Sequence, residues 1–289
     1  MNKPRIQFRR WVLAGVTLAA LAGLTITGAW FFRSERARVE VQAFAELTAI
    51  GKLKAQEVAA WRAERLADAS VLTESPFVAD LVARYFSDPC PEAAAPILDR
   101  FRGLQKHNAY ADALLLDPAG RCVLSLSGTT PVKDGYRDAL TTALAVRRPV
   151  LTDLHAGDAH LQPHLGVAAP FLAGREPDAA LLGAVVLVCN AAEYLYPLLE
   201  TWPLPGKTAE AILVRREGDQ FLVLSDLRHK PDAALTLRLP LGRTDLPVSR
   251  VVAGFEEVVD GPDYRGARVL AYVTAIPDSS WFPYRQAGL

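Results

Sequence analysis

Cysteine is scarce in this sequence of 289 residues: Cys90, Cys122 and Cys189 are the whole complement. Three thiols are too few for a disulfide scaffold, and none stands at the Cys-x-x-Cys spacing of a zinc module or redox centre. Net charge is missing too, since 32 basic residues cancel 32 acidic ones. Such a chain lacks the positive field with which general nucleic-acid binders attract phosphate, so no nucleic-acid partner is expected. Catalytic signatures are also wanting, with neither a Gly-x-Ser-x-Gly elbow nor a His-Glu-x-x-His pair. Gly206-Lys207-Thr208 imitates the end of a phosphate loop, but Thr201 stands where the earlier glycine is required. The sequence is therefore read as a non-enzyme with no cofactor. What it does have is apolar content: 51% of residues are hydrophobic and 22% charged, which excludes a disordered chain and promises a sizeable core.

One hydrophobic run is long. Trp11–Phe32 holds no charge, and 22 residues at about 1.5 Å each reach about 33 Å, enough to cross a bilayer. Trp11 at one end and Trp30, Phe31 and Phe32 at the other suit the headgroup zone. Lys3, Arg5, Arg9 and Arg10 precede the run and Arg33, Arg36 and Arg38 follow it, a bias that favours a cytoplasmic amino terminus over residues 1–10. Ala20-Leu21-Ala22 offers a signal-peptidase site as the alternative, but the run exceeds the 7–15 residues usual for a signal. No second run of comparable length follows, which places residues 33–289 together outside the cytoplasm.

After the membrane run, Phe44, Leu47, Ile50, Leu53, Val58, Trp61, Leu66, Ala69 and Leu72 recur at a mean spacing of 3.5 residues before Ser75-Pro76. This predicts one long stalk helix over 33–75, whose stripe faces its own sheet, the same helix of a second chain, or both. A cadence of short strands comes next. Ala111–Asp117 and Arg121–Ser127 flank a Pro118-Ala119-Gly120 turn; a helix over 135–146 and strands at 149–155, 164–172 and 180–189 complete a first module over 76–190. Residues 191–207 read as a linker helix closed by Pro203-Leu204-Pro205-Gly206. The cadence then restarts over 208–289, with a hairpin at 211–227, a short helix at 244–252 and strands at 256–260 and 267–277. The predicted class is α+β: a transmembrane and stalk helix followed by two antiparallel-sheet modules.

That layout resembles the double Cache sensor regions of bacterial transmembrane histidine kinases, diguanylate cyclases and chemoreceptors, whose modules are PAS-like. The resemblance rests on the anchor, the long helix, Leu114-Leu115-Leu116-Asp117-Pro118-Ala119-Gly120, and the stretches 213–219, 225–229, 263–266 and 276–282. It implies a single-pass protein of the bacterial inner membrane whose membrane-distal module binds a small molecule and which pairs as a homodimer through the stalk. The family's Tyr, Arg, Trp, Tyr amino-acid signature is not reproduced around Tyr136-Arg137. The family also continues past its last strand into a second membrane helix and an output domain. Here Pro283-Tyr284-Arg285 is expected to cut that strand short, so the output domain is read as absent and the second module as truncated.

In the sensing reading a ligand lies between one sheet face and its covering helix and loops. Candidate ligand residues are Tyr136 and Arg137, to bond or pair with a carboxylate, Asp153, to hold an amine, and His155 and His164, as donors or acceptors. His155, His160 and His164 match no metal spacing, so no metal is assigned. Asp263-Tyr264-Arg265-Gly266 is read as turn chemistry. In the PAS strand order 2-1-5-4-3, Cys122 and Cys189 stand two strands apart, beyond disulfide reach, while Cys90 in a Pro-rich loop has Cys122 as a possible partner. The alternative function is a membrane-anchored scaffold that pairs with a receptor through its long helix without signalling.

Overall fold

A computed structural model of the protein describes residues 3–128, 134–156, 163–174, 176, 178–201, 210–243, 246–251 and 258–288. The chain divides into two compact units, Met1–Ala49 and Ile50–Leu289. Helix α1 spans Lys3–Thr73. Its part in the first unit carries the one run among the described residues that is long and apolar enough to cross a membrane. Trp11, Val16, Leu18, Leu21, Leu24, Ile26, Trp30, Phe31 and Phe32 are all exposed there. An apolar surface that continuous is costly in water and suits lipid.

The second unit begins with the last turns of α1, then α2 (Pro76–Ser87) and α3 (Pro91–Asn108). Both were unforeseen, yet each opens with proline at its first turn, where the missing N–H costs nothing. Each also buries a helical stripe: Val78, Val82 and Tyr85 in α2, and Ala94, Ile97 and Phe101 in α3. Cys90, expected in a loop, is the N-cap of α3. All three cysteines are free thiols, so the suggested Cys90–Cys122 pair is not formed.

The first sheet is built from β1 (Asp112–Leu116), β2 (Cys122–Ser125), β3 (Val150–Leu151), β4 (His164–Leu172) and β5 (Leu181–Asn190), with α4 (Asp134–Val146) inserted after β2. Its order is β2-β1-β5-β4-β3, all antiparallel where paired. That is the 2-1-5-4-3 order expected, with β1 between the strands of Cys122 and Cys189. Leu114, Leu116, Ala168, Ala184 and Val186 face α4, through Tyr136, Ala139, Leu140 and Ala143. Ala113, Leu115, Leu165, Val167, Phe171, Val185 and Leu187 face the other way, into a core shared with α1, α2 and α3. With both faces covered, β4 and β5 become nearly continuous apolar runs rather than alternating ones.

Helix α5 (Leu195–Glu200) leads to the second sheet: β6 (Glu210–Glu217), β7 (Gln220–Val223), β8 (Arg238–Pro240), β9 (Val258–Pro262), β10 (Arg268–Val273) and β11 (Trp281–Gly288), with α6 (Pro247–Val251) before β9. The order is β8-β7-β6-β11-β10-β9. Without β8 this repeats the order of the first sheet, and β8 adds an unexpected sixth strand. The larger correction concerns β11. Far from being cut short by Pro283, it is an eight-residue strand in the middle of the sheet, paired with both β6 and β10. Proline is tolerated because Leu213 opposite it sends its N–H to Ser225 Oγ and its carbonyl to Leu224 N, away from β11. The nitrogen of Pro283 therefore faces Thr274, one residue beyond the end of β10, where no interior ladder bond is lost.

Residues of both sheets enter one core with α1: Ala55, Val58, Trp61, Ala69 and Leu72 pack in the same cluster as Leu187, Leu213, Leu224 and Trp281. Gly51 shows how closely α1 lies on the second sheet, since a Cβ there would stand 2.3 Å from Cδ1 of Tyr272 on β10. Only glycine permits that approach. A buried polar knot adds to it. Arg65 Nη1 donates to the Asn108 carbonyl at 2.6 Å, Asp68 pairs with Arg65 at 3.3 Å, and Tyr110 Oη donates to Asp68 Oδ2 at 3.0 Å.

Candidate functional site

Among the sequence-derived candidates, the fold brings three side chains together. Tyr136 sits in the first turn of α4 and is buried at 3% exposure. His164 opens β4 and is buried, and His155 follows β3. The ring of Tyr136 meets that of His155 edge-on at 4.8 Å and that of His164 at 5.8 Å, while the two imidazoles lie 4.3 Å apart. Glycines make the room. A Cβ on Gly135 would come within 2.4 Å of the His155 ring, and one on Gly166 within 2.8 Å of the Tyr136 ring. Burial pushes the Tyr136 phenol upward, so it stays a neutral hydroxyl. Two imidazoles and one phenol in this space offer donors and acceptors beside an apolar wall of Leu140, Ala168 and Val186, the mixture that fixes a small ligand's orientation.

A shift in register places His155 there. Val150 and Leu151 pair with Ala168 and Val167, and Thr152 continues the series through its N–H to the Gly166 carbonyl at 2.7 Å. His155 then pairs with His164 by reciprocal 3.0 Å bonds. Two residues, Asp153 and Leu154, thus oppose Leu165 alone, which is a β-bulge. Leu154 turns into the main core, and His155 is returned toward α4, its Nδ1 3.0 Å from the Asp153 carbonyl.

The remaining two candidates lie elsewhere. Arg137 is on the exposed side of α4, one residue round from Tyr136. The Asp153 carboxylate points to the second module. Its Oδ1 accepts from Trp281 Nε1 at 2.6 Å and from the Leu154 amide at 2.9 Å, and pairs with Arg215 Nη1 at 2.7 Å. His160 and the Gly206-Lys207-Thr208 run lie outside the described residues. Among the described residues no group of three His, Cys, Asp or Glu is placed to hold a metal. Asp263-Tyr264-Arg265-Gly266 makes a turn in which Oδ1 of Asp263 accepts from the amides of Arg265 and Ala267, at 2.7 and 2.9 Å.

No family model matches the sequence, and no curated protein matches it. Solved structures do match the fold. The ligand-binding domain of the Pseudomonas fluorescens chemoreceptor CtaA, in complex with L-serine, is 16% identical, with a TM-score of 0.53 over 84% of this chain and 95% of that one. That of the Pseudomonas aeruginosa chemoreceptor PctC, in complex with GABA, is 18% identical, with a TM-score of 0.54 over 84% and 99%. The sensory domain of the Campylobacter jejuni chemoreceptor Tlp3 is 10% identical, with a TM-score of 0.63 over 87% and 96%. The fold is that of a double Cache sensor region. Within this double Cache fold, sequence reasoning missed Arg215 and Trp281 as residues that meet Asp153, and Arg62 across the indole from it. They stand far from it along the chain, and no local pattern links them.

Proposed function

We propose that this chain is the small-molecule-sensing region of a membrane-bound bacterial receptor, with its ligand site in the first module beneath the start of α4. The observation that carries the reading is the convergence of Tyr136, His155 and His164, packed closely over Gly135 and Gly166 at the edge of the first sheet. The similar chemoreceptor domains, solved with L-serine and with GABA, support it. Imidazoles and a phenol favour a small hydroxyl- or carboxylate-bearing ligand. The exposed apolar run of α1 anchors the protein in the inner membrane with residues 1–10 cytoplasmic and 33–289 periplasmic. A second copy pairs along the stalk, where Val39, Val41 and Leu53 are exposed.

The test is a thermal-shift screen of the full chain in detergent against amino acids and small hydroxy and carboxylic acids. A ligand at one hundred times its dissociation constant adds about 2.7 kcal/mol to stability. At least one compound is expected to raise Tm in the native protein and not in His155→Ala. A screen in which nothing stabilises the native chain removes the reading. One observation favours a second reading: the Tyr136 ring itself fills the space above Gly166. A filled cleft fits a scaffold that pairs with a receptor through its long helix, and co-purification of a receptor with a chain that responds to no compound would establish it.

A further inference from the structure

The bulge between β3 and β4 does more than aim His155. It lifts Asp153 off the first sheet, and the carboxylate gathers partners from two other places in the chain. Trp281 Nε1, at the first residue of β11, donates at 2.6 Å, and Arg215 Nη1, on β6, pairs at 2.7 Å. Ser280 Oγ stands 3.3 Å from Oδ2. Arg215 also donates to the Leu154 carbonyl at 3.3 Å, so it grips both bulge residues, and its other end pairs with Glu217. Across the indole, the Arg62 guanidinium of α1 lies 4.8 Å from the ring centroid and donates to the Asp278 carbonyl at 3.0 Å. Burial draws the Arg62 pKa down, against the pull of Asp153 and Asp278. The indole of Trp281 is thus held between a cation on α1 and an anion on the first sheet.

We infer that Asp153 couples the Tyr136–His155–His164 cluster to the second module. Proceeding from the reading of the Tyr136–His155–His164 cluster as the sensing site, the bulge is the moving part. His155, two residues from Asp153, packs against Tyr136 and His164, so a ligand that shifts His155 shifts the bulge. The bulge cannot move without straining or breaking charge-assisted bonds to Arg215 and Trp281, which belong to neighbouring strands of the second sheet. A ligand favours one arrangement of this linkage to the extent that it binds that arrangement better. Asp153 is a positioning residue here and touches no ligand.

Amide hydrogen exchange on the full chain in lipid nanodiscs tests this without any ligand. Arg215→Gln and Trp281→Phe, both in the second module, are expected to speed exchange at the His155 and His164 amides of the first module about tenfold or more. Arg238→Gln, which breaks the Glu217–Arg238 pair but not the contacts of Asp153, is expected to leave those amides unchanged. In the other direction, Tyr136→Leu in the cluster is expected to speed exchange at Ile276, whose N–H donates to the Trp281 carbonyl. Trp281→Phe keeps a buried aromatic ring and no charge is stranded on it, so it gives an answer even where Arg215→Gln fails to fold. Unchanged exchange at His155 and His164 in a folded Trp281→Phe chain would falsify the coupling. That result leaves ligand binding standing, and an empty ligand screen leaves the exchange result standing.

Discussion

Asp68 shows what a single residue holds in this protein. It lies on α1 and accepts from Tyr110 Oη, while Arg65, 8% exposed, rests its guanidinium 5.0 Å from the Tyr110 ring. Asp68→Ala leaves the Arg65 charge buried without that partner, and breaking a buried pair from one side costs about 3–5 kcal/mol. Tyr110→Phe removes one hydrogen bond and keeps the ring, which costs about 1 kcal/mol. Urea unfolding of the two variants is expected to show this order, and equal losses would mean that Arg65 finds other partners. Little of this knot was legible in the sequence. Asp68 and Arg65 share a helix face, but Asn108 and Tyr110 reach them only through the packing of α3 on α1. Tyr136, His155 and His164 were readable as residue types near one sheet edge. That Asp153 would leave them was not, because a bulge is a one-residue change of register that no composition records.

At the scale of elements, the second sheet is held at its outer edge by charge. Arg215 and Arg238 both pair with Glu217, tying β6 to β8 across the short strand between them. The hydrogen bonds from Arg215 and Arg238 outweigh burial and hold the Glu217 carboxyl below its ordinary range. Because the folded pKa is depressed, this contribution is full above the ordinary glutamate range and is lost as pH falls through the folded value. The native chain is therefore expected to lose more stability between neutral and acid pH than Glu217→Gln does, in denaturant unfolding at each pH. Parallel pH profiles would show that the pair contributes nothing. Elements with strong local signals, such as β4, were found at their observed bounds. Strand β11 is not legible locally, because whether Pro283 loses a ladder bond depends on which neighbour its nitrogen faces.

For the whole molecule, the exposed valines of the stalk bear on pairing. Val39 and Val41 are 63% and 67% exposed, on a helix that carries the apolar run. If two chains pair along this helix in the membrane, Val41→Cys is expected to form a disulfide-linked dimer on mild oxidation. The native chain, whose cysteines are all at or beyond position 90, is expected to stay monomeric on a non-reducing gel. Failure of cysteines across a full turn of helix around Val41 to cross-link would exclude the pairing.

The sequence by itself determined the charge-free apolar run, the long helix and the repeated strand cadence, because each depends on periodicity and on turn residues a few positions apart. A charge-free run, a 3.5-residue stripe and an Asp-x-x-Gly hairpin turn are local physics. Only the tertiary structure decided that both sheets share one core with α1, that a Tyr272 ring sits where Gly51 has no side chain, and that Asp153 belongs to Arg215 and Trp281. Those outcomes depend on contacts between residues 60 to more than 200 positions apart. Burial and register, rather than residue type, select them.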